Sequence, residues 1–429
     1  LNSKISRFKK KITVDSDKSI SIRSFLVGSI SNNISTVNNV LESEDVFSTI
    51  YCLKKLGVKI KKNHSKNYSI YGKSLGSLFI KKGGELNFGN SGTLARLLIG
   101  ILSTTPDIDV KLRGDHSLNN RSMEKLIKLM NQFGASFYPH RKFNFPLRLI
   151  SSKMPLPINY FSGSSAQLKS AVIFAALNSY GETIIVENEK SRNHTENMIA
   201  HNKQSINLLE KNTIKVKGKK FLKKINVKVP GDPSSASFFT ALTLLNQKSS
   251  LIIKNVGLNS TRIGFFKLLK QHGAKIKFQN LKKNNFEIVG DISVKSSRLM
   301  PIKASKKYYV NTTDEYPILF VMAALIKGVS VFDGIKDLSN KESNRITEMQ
   351  KILKQVGIKS LYTKNKLKIF GTGVFDGSNK IINVSNLGDH RICMSSFILA
   401  LLIGAKAKIK NFETVFTSSP SFLKIMKTL

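Results

Sequence analysis

The chain has 429 residues, 41% of them hydrophobic, and a formal charge of +42 from 69 Lys and Arg against 27 Asp and Glu. That length accommodates two domains with full cores. No apolar run is long enough to span a bilayer, the best, Ile398 to Ile403, ending at Gly404.

The opening basic residues lead into a strand-like segment, 11–14, rather than the apolar core of a signal peptide. Cys52 and Cys393 match no metal or disulfide spacing, so buried thiols and a reducing cytoplasm are expected. The lysines are dispersed, as in Lys61-Lys62, Lys219-Lys220, Lys282-Lys283 and Lys306-Lys307, with no basic tail and no aromatic ladder. This reads as a solvated surface rather than a nucleic-acid face. Arginine is scarcer, and Arg23, Arg96, Arg121, Arg192, Arg345 and Arg391 lie in or beside a set of repeated polar runs. Arginine placed there suggests bidentate recognition of phosphate or carboxylate.

The first polar run is Asp17-Lys18-Ser19-Ile20-Ser21-Ile22-Arg23, which leads into Phe25-Leu26-Val27. Ser19 or Ser21 is expected to cap the helix that follows. Backbone N–H groups, the positive end of the dipole and the cations Lys18 and Arg23 would then converge on an anion. Equivalent runs precede apolar helices at 89–93, 162–165, 231–235, 313–317 and 388–391. Their spacing of roughly 70 to 80 residues signals a repeated supersecondary unit. Helix ends at Gly57, Gly134, Gly273 and Gly357 keep step with them, each predicted to turn through a left-handed glycine into a strand. The third repeat lacks this glycine around 208–212. Runs such as Thr183-Ile184-Ile185-Val186, Ser250-Leu251-Ile252-Ile253 and Ser330-Val331-Phe332 read as strands, so helix and strand alternate throughout. Strand 11–14 is expected to belong with the far end of the chain. The expected domains are therefore 15–228 and 1–14 plus 229–429, three α/β units each, with hinges near 14–16 and 228–232.

The chain resembles the 5-enolpyruvylshikimate-3-phosphate synthase family over nearly its whole length. The resemblance is carried, in order, by Lys18-Ser19 with Arg23, by 89–96, and by Gly114-Asp115 through Arg121-Ser122-Met123. It continues through Ser164-Ser165-Ala166-Gln167 with Lys169-Ser170, Asp314-Glu315-Tyr316-Pro317, Lys341-Glu342-Ser343 with Arg345, and Asp389-His390-Arg391. Ala166 and 314–317 are similar to the bacterial class associated with glyphosate tolerance.

The resemblance implies a two-domain inside-out α/β barrel of βαβαββ-type units that closes over its substrates. It implies transfer of the enolpyruvyl group of phosphoenolpyruvate to the 5-hydroxyl of shikimate 3-phosphate, with release of phosphate. Lys18, Arg121, Arg345 and Arg391 would hold phosphoenolpyruvate, with Asn90 and Gly92 in the same stretch, Gly92 admitting a close backbone approach. Ser19, Arg23, Ser165, Gln167, Ser191, Arg192 and Lys341 would hold shikimate 3-phosphate, with Asp314 as base at the hydroxyl and with Lys18 and Glu342 exchanging the methylene proton. Read as isolated residues, Gly92 is a helix-start glycine, Ser165 and Ser191 are caps or turn residues, Asp314 is a cap, and Glu342 is the partner of Lys341 or Arg345. No metal or cofactor is implied, and a monomer is expected.

Two departures from the family pattern stand out. Asp15-Ser16 and Ile22 replace the usual Pro-Gly and His of the first motif, and 416–420 lacks the usual lysine before Pro420. Phosphate binding would then rest more heavily on Lys18 and Arg391. The enolpyruvyl transferase acting on UDP-N-acetylglucosamine is the neighbouring alternative, but it pairs its lysine with asparagine and carries a loop cysteine, whereas Ser19 follows Lys18 here and 115–121 has no cysteine. A basic nucleic-acid-binding repeat protein is the reading from another class.

Overall fold

The structure, a computed structural model, describes residues 4–429. Its described residues form two compact units. The amino-terminal unit comprises Ser16–Val229 and Asn284–Glu287, and the carboxy-terminal unit comprises the residues up to Asp15, Pro230–Lys283 and Ile288–Leu429.

In the amino-terminal unit three sheets of four strands share one strand order. In each, an edge strand runs parallel to its neighbour, which pairs antiparallel with the next. Asn226–Lys228 pairs with Ile34–Asn38, Gly84–Asn87 with Asp109–Arg113, and Asn159–Ser162 with Glu182–Glu187. The last strand of this segment thus completes its first sheet. The carboxy-terminal unit repeats the plan: Lys9–Thr13 lies parallel to Ser250–Gly257, Lys303–Ala304 to Gly328–Asp333, and Ile381–Val384 to Lys406–Ile409, the last as a two-stranded sheet.

Each unit buries three helices along nearly their whole circumference, polar residues of their first turns included, the pattern of a helix enclosed by other elements. They are Lys18–Ile30, Gly92–Thr104 and Ala166–Leu177 in one unit, and Pro233–Leu245, Tyr316–Ala324 and His390–Ile403 in the other. All nine residues of Tyr316–Ala324 are buried. Outer helices bury one stripe only: Arg345–Gln355 buries Arg345, Ile346, Met349, Ile352 and Leu353, a spacing of three and four. Strands alternate buried and exposed positions, as in Glu182–Glu187, so sheets cover helices from outside.

Gly57, Gly134, Gly273 and Gly357 all adopt positive φ, between 81° and 93°, at the turns from helix to strand. A further glycine device repeats three times. A Cβ on Gly72, Gly218 or Gly371 would lie about 2 Å from the carbonyl oxygen of Ser31, Ser179 or Ile326, each just past the end of a central helix. No helix among the described residues is long and apolar enough to cross a membrane.

Candidate active site

The caps of the central helices differ from the sequence expectation. Asp17, not Ser19 or Ser21, caps Lys18–Ile30, its carboxylate accepting from Ile20 N at 2.8 Å. Ser21 lies inside the helix and its Oγ accepts instead from Leu41 N at 3.1 Å. Asp232 and Asp389 cap Pro233–Leu245 and His390–Ile403 in the same way, while Ser91 and Ser165 cap their helices with hydroxyls. A carboxylate cap offsets the positive helix end, so anion affinity at those starts depends chiefly on side-chain cations.

In the carboxy-terminal unit those cations meet carboxylates. Arg345, the first residue of its helix, is 1% exposed, unusual for arginine unless paired. Its Nε donates to Asp389 Oδ2 at 2.9 Å, and its Nη2 donates to Asp389 Oδ1 at 3.3 Å and Glu342 Oε2 at 2.6 Å. Asp314 Oδ1 stands 3.7 Å from Nη1, which makes no hydrogen bond. Burial opposes the arginine's charge, but Asp389, Glu342 and Asp314 outweigh it and raise its pKa. Asp389 is fully buried, whereas Asp314 and Glu342 each keep about a quarter of their side chains exposed. Asp314 does not cap Tyr316–Ala324; Glu315 occupies that position without a side-chain cap.

Arg391 is buried, its guanidinium 5.9 Å from the Phe238 ring and its Nε without a hydrogen-bond partner. A buried donor left unsatisfied is costly unless a ligand supplies the acceptor. Lys341 pairs with Asp337, whose Oδ2 accepts from Lys341 Nζ at 2.8 Å and from the Tyr309 hydroxyl at 2.9 Å.

In the amino-terminal unit Lys18 Nζ pairs with Asp45 Oδ2 at 3.0 Å. Arg23 is buried, donating from Nε to Thr195 Oγ1 at 2.8 Å, from Nη1 to Ser19 O at 3.1 Å and from Nη2 to Ser170 Oγ at 3.3 Å. Arg121 Nη2 donates to Asn90 Oδ1 at 2.6 Å and Ser117 Oγ at 3.1 Å, and Asn90 Nδ2 donates to Asp115 at 2.7 Å. Gly92 belongs to this group, since a Cβ there would meet Arg96 Nη1 at 2.8 Å and Arg121 Nη1 at 3.2 Å. Gln167 joins two helices, accepting from Arg96 Nη1 and donating to Thr93 Oγ1, both at 2.9 Å. The Ser165 hydroxyl is a cap, accepting from Leu168 N at 3.4 Å. Ser191 donates from both N and Oγ to Glu187 Oε1, and Arg192 follows it in a stretch without regular structure. His194, the first residue of the helix His194–Ile199, pairs through Nδ1 with Glu287 at 2.6 Å.

Asn90, Gly92 and Arg121 thus meet in one unit, with Gln167 joined to Gly92 through Arg96 Nη1, and Asp314, Glu342 and Arg345 meet in the other, while Arg23 bonds Thr195 and Ser170, and Ser191 bonds Glu187. Sequence reading passed over the roles of Asp45, Glu187, Thr195, Asp337 and, as an arginine partner, Asp389 in holding these groups, although it had singled out Arg96 beside a polar run. Only Asp389 carried a signal, its place beside Arg391 in a polar run.

Repeated sheets over buried helices, with arginines and carboxylates gathered at the helix starts, define a two-unit α/β enzyme of the enolpyruvyl-transferase fold. The family model described as EPSP synthase (3-phosphoshikimate 1-carboxyvinyltransferase) matches residues 2–426, and the chain belongs to that family. A protein named 3-phosphoshikimate 1-carboxyvinyltransferase from Caldicellulosiruptor bescii is 37% identical over 98% of this chain and 96% of its own length. One of the same name from Petrotoga mobilis is 36% identical over the same shares. The solved EPSP synthase from Acinetobacter baumannii superposes with a TM-score of 0.84 at 33% identity, covering 99% of this chain and 97% of that one. The enolpyruvyl transferase NikO from Streptomyces tendae, at 12% identity and a TM-score of 0.76 over 100% of this chain and 96% of that one, shares the fold.

Proposed function

We propose that the chain transfers the enolpyruvyl group of phosphoenolpyruvate to the 5-hydroxyl of shikimate 3-phosphate, with release of phosphate. The observation that carries this reading is the Asp314, Glu342 and Asp389 cluster around Arg345, in a chain of the EPSP synthase family. Asp389 satisfies the arginine from the buried side and leaves two partly exposed carboxylates to handle protons.

Both substrates are anions, and bringing them together costs repulsion that fixed cations offset. Lys18, Arg121, Arg345 and Arg391 hold phosphoenolpyruvate, and Ser19, Arg23, Asn90, Gly92, Ser165, Gln167, Ser191, Arg192 and Lys341 complete the binding set. Asp314 takes the proton of the attacking hydroxyl as its oxygen bonds to C2 of phosphoenolpyruvate. The methylene carbon gains a proton from Lys18 or Glu342, giving a tetrahedral ketal. Loss of that proton then expels phosphate and restores the double bond.

Residues 15–228 carry the shikimate 3-phosphate side, and 1–14 with 229–429 complete the phosphoenolpyruvate side, with the chain working as a cytoplasmic monomer. The test is phosphate release from phosphoenolpyruvate. Release that requires shikimate 3-phosphate supports the reading, and its absence under all conditions rejects it.

A further inference from the structure

Lys169 is completely buried in the first turns of Ala166–Leu177, where a lone ammonium would be strongly disfavoured. Its Nζ meets three acceptors: Glu187 Oε1 at 2.8 Å, Glu196 Oε1 at 2.5 Å and Ser191 O at 3.5 Å. An ammonium has three N–H donors, so one lysine engages the start, middle and end of segment 187–196. Glu187, 3% exposed, ends the strand Glu182–Glu187 and also accepts from Ser191 N at 2.9 Å and Ser191 Oγ at 2.7 Å. Glu196, 2% exposed, lies in the first turn of His194–Ile199, and its second oxygen is buried without a hydrogen bond.

Between those anchors lie Arg192, in a stretch with no regular backbone hydrogen bonding, and Thr195, whose Oγ1 accepts from Arg23 Nε at 2.8 Å and donates to Ser170 Oγ at 2.9 Å. Ser170 adjoins Lys169 and itself accepts from Arg23 Nη2. The lysine therefore fixes both the segment carrying Ser191 and Arg192 and, through Thr195, the orientation of Arg23.

We propose that Lys169, with Glu187 and Glu196, forms a buried positioning triad that presets the anion-binding segment Ser191, Arg192 and Thr195 for the phosphorylated acceptor. This rests on the enolpyruvyl-transfer reading. The triad touches no substrate. It stabilises the segment in its binding geometry before the ligand arrives, so its loss raises the ordering cost of binding rather than slowing chemistry.

Two variants test it. Lys169→Met with Glu187→Gln and Glu196→Gln keeps the shapes and removes the three buried charges of the triad. Glu196→Gln alone keeps the Lys169–Glu187 pair. The expected result is a KM for shikimate 3-phosphate raised about tenfold in the triple variant and severalfold in the single one, with kcat and the KM for phosphoenolpyruvate nearly unchanged. Equal shifts in both KM values, or none in either variant, overturn the proposal. Amide hydrogen exchange across 187–196, read without substrate, is expected to accelerate in both variants relative to the Ile34–Asn38 strand. Unchanged exchange rejects the triad even if the enzyme reading stands. Accelerated exchange in a protein whose wild type releases no phosphate rejects the enzyme reading instead.

Discussion

Asp389 grips Arg345 through both carboxylate oxygens, at 2.9 and 3.3 Å, while Oδ1 also accepts the Arg391 backbone N–H at 3.0 Å. One buried carboxylate therefore closes the start of one helix and neutralises the first side chain of another. Asp389→Ala strips the cap and leaves a buried guanidinium undercompensated, so a loss of about 3–5 kcal/mol is expected. Asp389→Asn retains the cap and is expected to recover about 1 kcal/mol of it. Urea unfolding midpoints compare the two.

Asp314 is the carboxylate farthest from Arg345 within that cluster and is partly open to solvent. Asp314→Asn is expected to lower kcat by about a hundredfold to ten-thousandfold, the range for a general base, while equilibrium binding of shikimate 3-phosphate changes little. Turnover equal to wild type would take Asp314 out of the mechanism.

Gly92→Ala places a methyl group against the Nη1 atoms of Arg96 and Arg121. Both are ends of flexible side chains, so the fold persists and the guanidinium groups shift. A KM for phosphoenolpyruvate raised roughly tenfold is expected from such a displacement, with thermal unfolding close to wild type. An unchanged KM would mean that Arg121 does not set this site.

Burial pushes both thiols up to about 12, Cys52 with slight opposition from Lys55 and Cys393 with help from Asp389. At pH 8 about one thiol in ten thousand is then ionised, so neither is expected to react with a disulfide reagent in the folded protein, and both react once it is unfolded. Rapid labelling of the native chain would contradict this.

The Arg148 hydrogen bonds, both at 2.7 Å, hold the Asp109 carboxyl below its ordinary range. A depressed folded pKa contributes stability in full above the unfolded value, about 3.9, and loses it as pH falls through the folded value. Asp109→Asn removes that contribution. The gap in denaturant midpoint between wild type and variant should be widest near neutrality and narrow towards pH 3.

Local signals read well. The helix-to-strand glycines turn through positive φ because only glycine does so without a Cβ penalty, and this shows at Gly57, Gly134, Gly273 and Gly357. The apolar runs after each polar start became the buried helices. The 11–14 segment was expected with the far end of the chain, and Lys9–Thr13 pairs with Ser250–Gly257. Capping was misread at Lys18–Ile30 because aspartate and serine compete for the same role, and only the backbone angles of Asp17 decide which of them stands just outside the helix.

The sequence by itself determined the repeat, the alternation of helix and strand, and the family, since each polar run, helix period and short motif is written in a few neighbouring residues and needs no distant contact to be read. Tertiary structure alone decided what each charged group faces. Lys18 finds Asp45, Arg345 finds Asp389 across 44 residues, and Lys169 finds Glu187 and Glu196. Those pairings arise because a charge taken out of water must meet an opposite one, and which one lies within reach depends on how distant repeats pack.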